Sequence, residues 1–258
     1  MNLSISIRYL KGVLLGLLLN LMPIASVQGQ EPPIITGIDP PQSILFVGNS
    51  FTFYNNAIYT HLRKLLVAED PSNRDNIFLK SMTISGANLV DHKSGLSQLL
   101  TSRNWDVVVL QGHSLEPIGE DTAPGFQSTA RVFSEAIRLR GAEPVLFMTW
   151  AYADRPEMTT QLASVFRRLG RKLDVPVIPV GLAFTQARND IPGVVLHDPD
   201  QKHPSLAGTY LAAAVFYASL YGQSPVGIGY DAGLDEGLAR KLRQTAWQTV
   251  QEYYQAKK

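Results

Sequence analysis

The chain has 258 residues, 45% hydrophobic and 17% charged, with a formal net charge of +1, which fits a folded protein with one substantial core. A charge this close to zero, with no basic block and no basic–aromatic interleaving, excludes an electrostatic nucleic-acid binder. The absence of cysteine excludes disulfides, thiol catalysis, a cysteine–zinc site and a lipid-modified amino terminus.

Residues 1–29 carry Arg8 and Lys11, an apolar run around Gly12 to Leu19, and small residues from Ala25 to Gly29. That order is the layout of a secretory signal, with cleavage expected after Val27-Gln28-Gly29. The apolar run is short for a bilayer span, and a permanent anchor is the rival reading. The expectation is an exported bacterial protein, periplasmic or secreted, with no stable membrane span after cleavage. Residues 30–42, QEPPIITGIDPPQ, are proline-rich and read as an extended lead-in. Residues 43–258 read as a single domain that includes a carboxy-terminal helix.

Within that domain, Ser43 to Val47 is a short apolar run, consistent with a strand covered on both faces. Residues 54–69 carry a helical stripe through Leu62, Leu65 and Leu66, and His61 reads as a helix-surface residue, as does His92 later. A second strand is expected at 77–79, a weaker helix at 88–101, and a third strand at 106–111, the strongest strand pattern in the chain. A helix near 125–140, a strand at 144–148, a helix near 157–172 and a fifth strand at 175–180 follow. Pro176 and Pro179 place that fifth strand at a sheet edge. Two more helices are expected at 205–220 and 234–254, the latter packing across the domain or joining copies. No feature assigns an oligomeric state. Short strands alternating with helices give an α/β fold: a three-layer αβα sandwich around a mostly parallel five-stranded sheet, flavodoxin-like.

In such sheets, sites form beyond the carboxyl ends of the strands. Strand one empties into Gly48-Asn49-Ser50, where Ser50 is either a helix cap or a hydroxyl presented to a crevice, with its N–H free to face an oxyanion. Strand two leads to Ser85-Gly86-Ala87, where Gly86 permits close backbone approach to a ligand or simply fills a loop. Strand three ends at Gln111-Gly112-His113-Ser114, and both Gln111 and His113 can donate hydrogen bonds. Strand four ends at Thr149-Trp150-Ala151-Tyr152, suited to lining a pocket or packing over the sheet. Late in the chain, His197-Asp198-Pro199-Asp200-Gln201-Lys202-His203-Pro204 holds an aspartate and a histidine three apart. That spacing lets Asp200 orient one ring nitrogen of His203 and leaves the other to take a proton from a serine. A metal cluster is the alternative, although no second ligand-rich segment completes a shell.

Taken together, these blocks resemble those of the SGNH hydrolases, the GDSL-like lipases and esterases, and look closest to a divergent bacterial branch. GNSFT supplies the nucleophile block with Ser50, Asn49 standing where the family has aspartate. SGANL supplies Gly86 to the oxyanion hole, and Asp200-Gln201-Lys202-His203-Pro204 fits the final Asp-x-x-His-Pro block. The third block departs: where the family has Gly-x-Asn-Asp this chain has Gln111-Gly112-His113-Ser114, which leaves His113 or Gln111 as the third donor. The resemblance implies a Ser50–His203–Asp200 triad and an oxyanion hole from Ser50, Gly86 and His113 or Gln111. Asn49, Ser114, Trp150 and Tyr152 are expected to line the pocket. It further implies ester cleavage through an acyl-enzyme, without metal or organic cofactor, on short acyl esters of a small molecule, carbohydrate or cell-envelope polymer. The alternatives are a catalytically inactive SGNH-like binding protein for a glycan or acyl ligand, and an unrelated periplasmic binding protein.

Overall fold

The structure, a computed structural model, describes residues 40–255. The signal reading of 1–29 and nearly all of the lead-in lie outside those residues. The sheet is built from β1 (Ser43–Gly48), β2 (Phe78–Thr83), β3 (Val107–Leu110), β4 (Glu143–Phe147) and β5 (Val177–Ile178). All neighbours run parallel, in the order β2-β1-β3-β4-β5. This is the expected αβα sandwich. Because β1 and β3 lie inside the sheet and under helices, every residue of both is buried, which is why, after Ser43, their sequences are apolar without alternation. The edge strand β2 is half exposed and can carry Lys80 and Ser81.

Helices α2 (Ile58–Glu69), α8 (Leu206–Tyr221) and α9 (Glu236–Gln255) pack on one another, with α7 (Val180–Asp190) against α8 and α9. A second group comprises the 3-10 turn Leu89–His92, α4 (Lys93–Ser102), α5 (Ala123–Arg138) and α6 (Met158–Leu173). Helix α8 is buried from Ala207 through Leu220, which explains its lack of a polar face. Its Phe216 meets Phe46 of β1 at 5.2 Å and Phe147 of β4 at 5.0 Å, seating the helix on the middle of the sheet. The carboxy-terminal helix packs across the domain, and Tyr254 donates to the carbonyl of Val177 in β5.

Several boundaries differ from the expectation, each for a physical reason. The helix expected from residue 54 begins at Ile58, after a short α1 (Ser50–Phe53). Asn55, Asn56 and Ala57 stand between them with φ of 49°, 68° and 68°, a left-handed run that breaks the helix. The fifth strand shrinks to Val177–Ile178 because Pro176 and Pro179 have no N–H to give a ladder, and Val180 begins α7 instead. That helix was not anticipated; its stripe Val180, Ala183, Phe184 and Ala187 is helical, but the strand pattern absorbed its first residue. A further short helix, α3 (Asn73–Asn76), was also unmarked.

His61 and His92 are not surface residues. Both are buried, at 3% and 1% exposure. His61 Nε2 lies 2.7 Å from the Asn55 carbonyl and Nδ1 2.7 Å from the Tyr230 hydroxyl, so the ring closes the left-handed run; burial lowers its pKa. His92 Nε2 lies 2.8 Å from the carbonyl of Gly48 and secures the end of β1.

Candidate active site

The order 2-1-3-4-5 places the topological switch between β1 and β3, where the chain steps outward to β2 on one side and on through β4 and β5 on the other, so a crevice opens at their carboxyl ends. Ser50 lies just past β1 and His113 just past β3, so both enter this crevice from neighbouring strands. Gly48 ends β1 beside a crowded network: a Cβ there would overlap Gln111 Oε1 and lie 2.6 Å from Thr52 Oγ1. Glycine is therefore required for close approach rather than for its dihedral freedom.

Asn49 is the cap of α1. It is extended at φ −134°, and its side-chain oxygen accepts from Phe51 N–H at 3.2 Å. The capping role belongs to Asn49, and the Ser50 hydroxyl is left for another partner. That partner is His203, whose Nε2 is 2.9 Å from Ser50 Oγ. The other ring nitrogen bonds Asp200 Oδ2, so Nδ1–H donates to the carboxylate and Nε2 accepts from the serine. Asp200 Oδ1 accepts from the N–H groups of Lys202 and His203, each at 2.9 Å. Burial raises the Asp200 pKa, but the His203 ring and these two N–H groups outweigh it and hold the carboxyl down to about 2.

The loop carrying Asp200 and His203 is fixed from three sides. His197 and Pro204 form an isolated antiparallel bridge at its base, and Asp198 N–H donates to the His203 carbonyl at 2.8 Å. After β4, Ala153 N–H reaches Gln201 O at 2.8 Å and Trp150 Nε1–H reaches Lys202 O at 3.0 Å. From the Ser50 side, Asn55 Nδ2 donates to Pro204 O at 2.7 Å and to Thr209 Oγ1 at 3.1 Å. Tyr54 stacks on the His203 ring at 4.1 Å and Phe51 meets its edge at 5.5 Å. His197 turns away, donating Nε2–H to Ala151 O at 3.0 Å, and no group of metal-type side chains gathers among the described residues.

The cleft over these residues has a volume of about 530 Å³. Asn49, Ser50, Gly86, His113, Ser114 and Tyr152 are among its walls, as is His203. Ser114 Oγ and the Tyr152 hydroxyl lie 2.7 Å apart, and the Lys202 ammonium sits 5.4 Å from the Tyr152 ring centre. The backbone N–H groups of Ser50 and Gly86 meet no acceptor among the described residues. His113 accepts Leu115 N–H on Nδ1 at 3.3 Å, which leaves the proton of the neutral ring on Nε2. Burial and the Lys202 charge lower its pKa and favour that neutral form.

Two expected site residues fall elsewhere. Gln111 is fully buried, with both amide hydrogens committed to Asn49 Oδ1 at 2.8 Å and to the Gly112 carbonyl. Its Oε1 accepts from Asn49 N and Thr52 Oγ1, each at 2.9 Å. It supports the serine turn from below and has no donor to give the cleft. Trp150 is also fully buried and is not a wall residue: its ring is sandwiched between Phe51 at 4.6 Å and Phe184 at 4.4 Å. The sequence alone did not mark Tyr54 and Asn55, which hold the His203 loop, the cleft residues Asp154, Arg155 and Lys202, or a buried carboxylate, Glu116. The available signals were Tyr54 one helical turn after Ser50 and Glu116 three residues after His113 in the loop after β3.

No family model and no curated protein matches the sequence. Solved structures do. A DUF4886 family protein from Bacteroides uniformis superposes with a TM-score of 0.67 at 20% identity, covering 82% of this chain and 95% of that one. A candidate SGNH hydrolase from Slackia heliotrinireducens gives 0.58 at 27% identity, over 69% and 97%. An acetylxylan esterase from Geobacillus stearothermophilus gives 0.58 at 16% identity, over 77% and 99%. Likeness at 20% and 16% identity is one of fold. At the switch point of that fold, a serine, a histidine and an aspartate are linked by hydrogen bonds. This chain has the α/β fold of the SGNH-like hydrolases and, like a serine hydrolase, joins a serine, a histidine and an aspartate by hydrogen bonds.

Proposed function

We propose that the protein is an exported serine esterase that removes short acyl groups, acetyl in particular, from a carbohydrate or cell-envelope polymer. The observation that carries the ester chemistry is the 2.9 Å contact between Ser50 Oγ and His203 Nε2. In this reading Ser50 Oγ attacks the ester carbonyl carbon while its proton passes to His203 Nε2, and Asp200 holds the resulting imidazolium. The N–H groups of Ser50 and Gly86 and the Nε2–H of His113 receive the oxyanion. Collapse breaks the ester bond, and the leaving alcohol oxygen takes the proton back from His203. A water molecule, losing its proton to the same nitrogen, then attacks the acyl carbon and releases the acid with Ser50 restored.

Small acyl groups on a polar alcohol are supported by the cleft walls, where Ser85, Asp154, Arg155 and Lys202 offer polar groups beside the apolar Phe51 and Leu115. Such walls suit a substrate that offers hydroxyl groups to the polar side chains and a small acyl group to the apolar ones. Acetylxylan esterases among the structural neighbours point the same way. Export rests on the layout of residues 1–29. No helix among the described residues is long and apolar enough to cross a membrane.

The test is reaction of the folded protein with a fluorophosphonate, followed by peptide mapping. A single adduct on Ser50, lost on heat denaturation and in His203→Ala, is the expected result. An unreactive folded protein would move the assignment to ligand binding without turnover. Release of acetate from acetylated xylan, set against release of longer acids from their esters, then tests the substrate class.

A further inference from the structure

The sheet order has a geometric consequence for the oxyanion hole. Gly86 follows β2 and His113 follows β3, but these strands are not neighbours; β1, with Ser50, runs between them. Two ladder spacings, about 10 Å, separate β2 from β3, and no backbone pairing within the sheet sets the distance between their loops. Donors to an oxyanion must nevertheless converge at about 3 Å from one oxygen.

Glu116 spans this gap. Its Oε2 accepts from the N–H of Leu89, three residues beyond Gly86, at 2.9 Å, and from the N–H of His113 at 3.0 Å. The residue is 4% exposed, so one oxygen of a buried carboxylate joins the two loops that flank the serine. The joint is tight: a Cβ at Gly112 would overlap Glu116 Oε2 and lie 2.9 Å from the Phe126 ring. Asn49 spans the same loops from above, its Nδ2 lying 3.1 Å from Ala87 O and 3.4 Å from Gly112 O. The bond to Glu116 also consumes the His113 backbone donor. With Nδ1 occupied by Leu115 N–H, the only His113 donor left is Nε2–H.

We infer that Glu116 is a positioning residue of this active site, holding the loops after β2 and β3 at the separation that brings the Gly86 and His113 donors onto one oxyanion. This rests on the reading of Ser50, Gly86 and His113 as the oxyanion donors. What the position requires is an acceptor oxygen at the right reach, not a negative charge. Glutamine supplies that oxygen, aspartate retracts it by one methylene, and alanine removes it.

The test compares Glu116→Gln, Glu116→Asp and Glu116→Ala on hydrolysis of p-nitrophenyl acetate, with phenylboronic acid as the tetrahedral analogue and amide exchange at Leu89 and His113 followed by NMR. Glu116→Ala is expected to lose about 100-fold in kcat with KM within about twofold, and to weaken boronate binding in step. Glu116→Gln recovers most of that loss, and Glu116→Asp recovers much less. Equal kcat in a folded Glu116→Ala protein overturns the inference, as does Glu116→Asp outperforming Glu116→Gln. If Glu116→Ala does not fold, the ranking of the other two decides. If the wild type shows no Ser50-dependent turnover, the esterase reading fails separately. Amide exchange then judges the tie: acceleration at both amides in Glu116→Asp but not Glu116→Gln supports it, and no acceleration overturns it.

Discussion

Ser50 Oγ and His203 Nε2 stand 2.9 Å apart although 153 residues separate them in the chain. Groups that act as a unit give non-additive losses on removal. Ser50→Ala and His203→Ala should each lower kcat by about three orders of magnitude or more, and the double variant should fall no further than the worse single one. Steady-state hydrolysis of p-nitrophenyl acetate measures this. Additive losses would mean that the two groups act independently.

Asp200 sets the orientation and tautomer of His203, so Asp200→Asn should lower kcat by about 10³–10⁴ while KM changes little. The same pair links stability to pH. The folded carboxyl is held at about 2, below the ordinary 3.8. Its contribution is therefore fully present above pH 3.8 and disappears as the pH falls to about 2. The side chain is 44% exposed, which keeps the contribution small. Tm measured against pH should show the gap between wild type and Asp200→Asn closing across that window.

His113 lines the cleft beside Ser50, with Nδ1 taken by Leu115 N–H. Removing one oxyanion donor costs about 10²–10³ in kcat, which is the loss expected for His113→Ala. In His113→Asn the amide again offers an N–H and should restore part of the rate. Rates equal to wild type in His113→Ala would remove the ring from the oxyanion hole.

Trp150 supports both halves of the site, stacking on Phe51 next to the serine and donating to Lys202 O next to the histidine. Trp150→Ala should destabilise the protein by about 3–5 kcal/mol, and Trp150→Phe, which keeps a ring but loses the N–H, by about 1–2 kcal/mol. Trp150→Phe should also lower kcat by about tenfold through misplacement of the His203 loop. Urea unfolding and kinetics on the same samples separate the two effects.

Burial and periodicity made the sheet legible, because β1 and β3 lie under helices and therefore, after Ser43 at the start of β1, have no polar positions to blur the pattern. Asp200 and His203 were legible for a different reason: three residues of local turn bring them together, so sequence spacing is almost the geometry itself. Gln111 and Trp150 were misplaced because residue type shows what a side chain can donate but not where its donors are used; both are consumed beneath the cleft. The left-handed run at Asn55–Ala57 left no pattern, since two asparagines and an alanine are ordinary in a loop. It is held by Asn55 bonding to Pro204 and Thr209, contacts that exist only once the chain has closed on itself.

The sequence by itself determined the strand–helix rhythm, the triad residues as candidates, and the polar groups at the strand ends. Those follow from local apolar patterning and short-range spacing, which the chain carries before it folds. The tertiary structure decided which polar groups face the cleft and which support it. It brought His203 to the Ser50 hydroxyl and buried Gln111, Trp150 and Glu116 as supports. The physical reason is that a buried donor or acceptor must find its partner wherever the folded chain supplies one, and those partners lie tens of residues away.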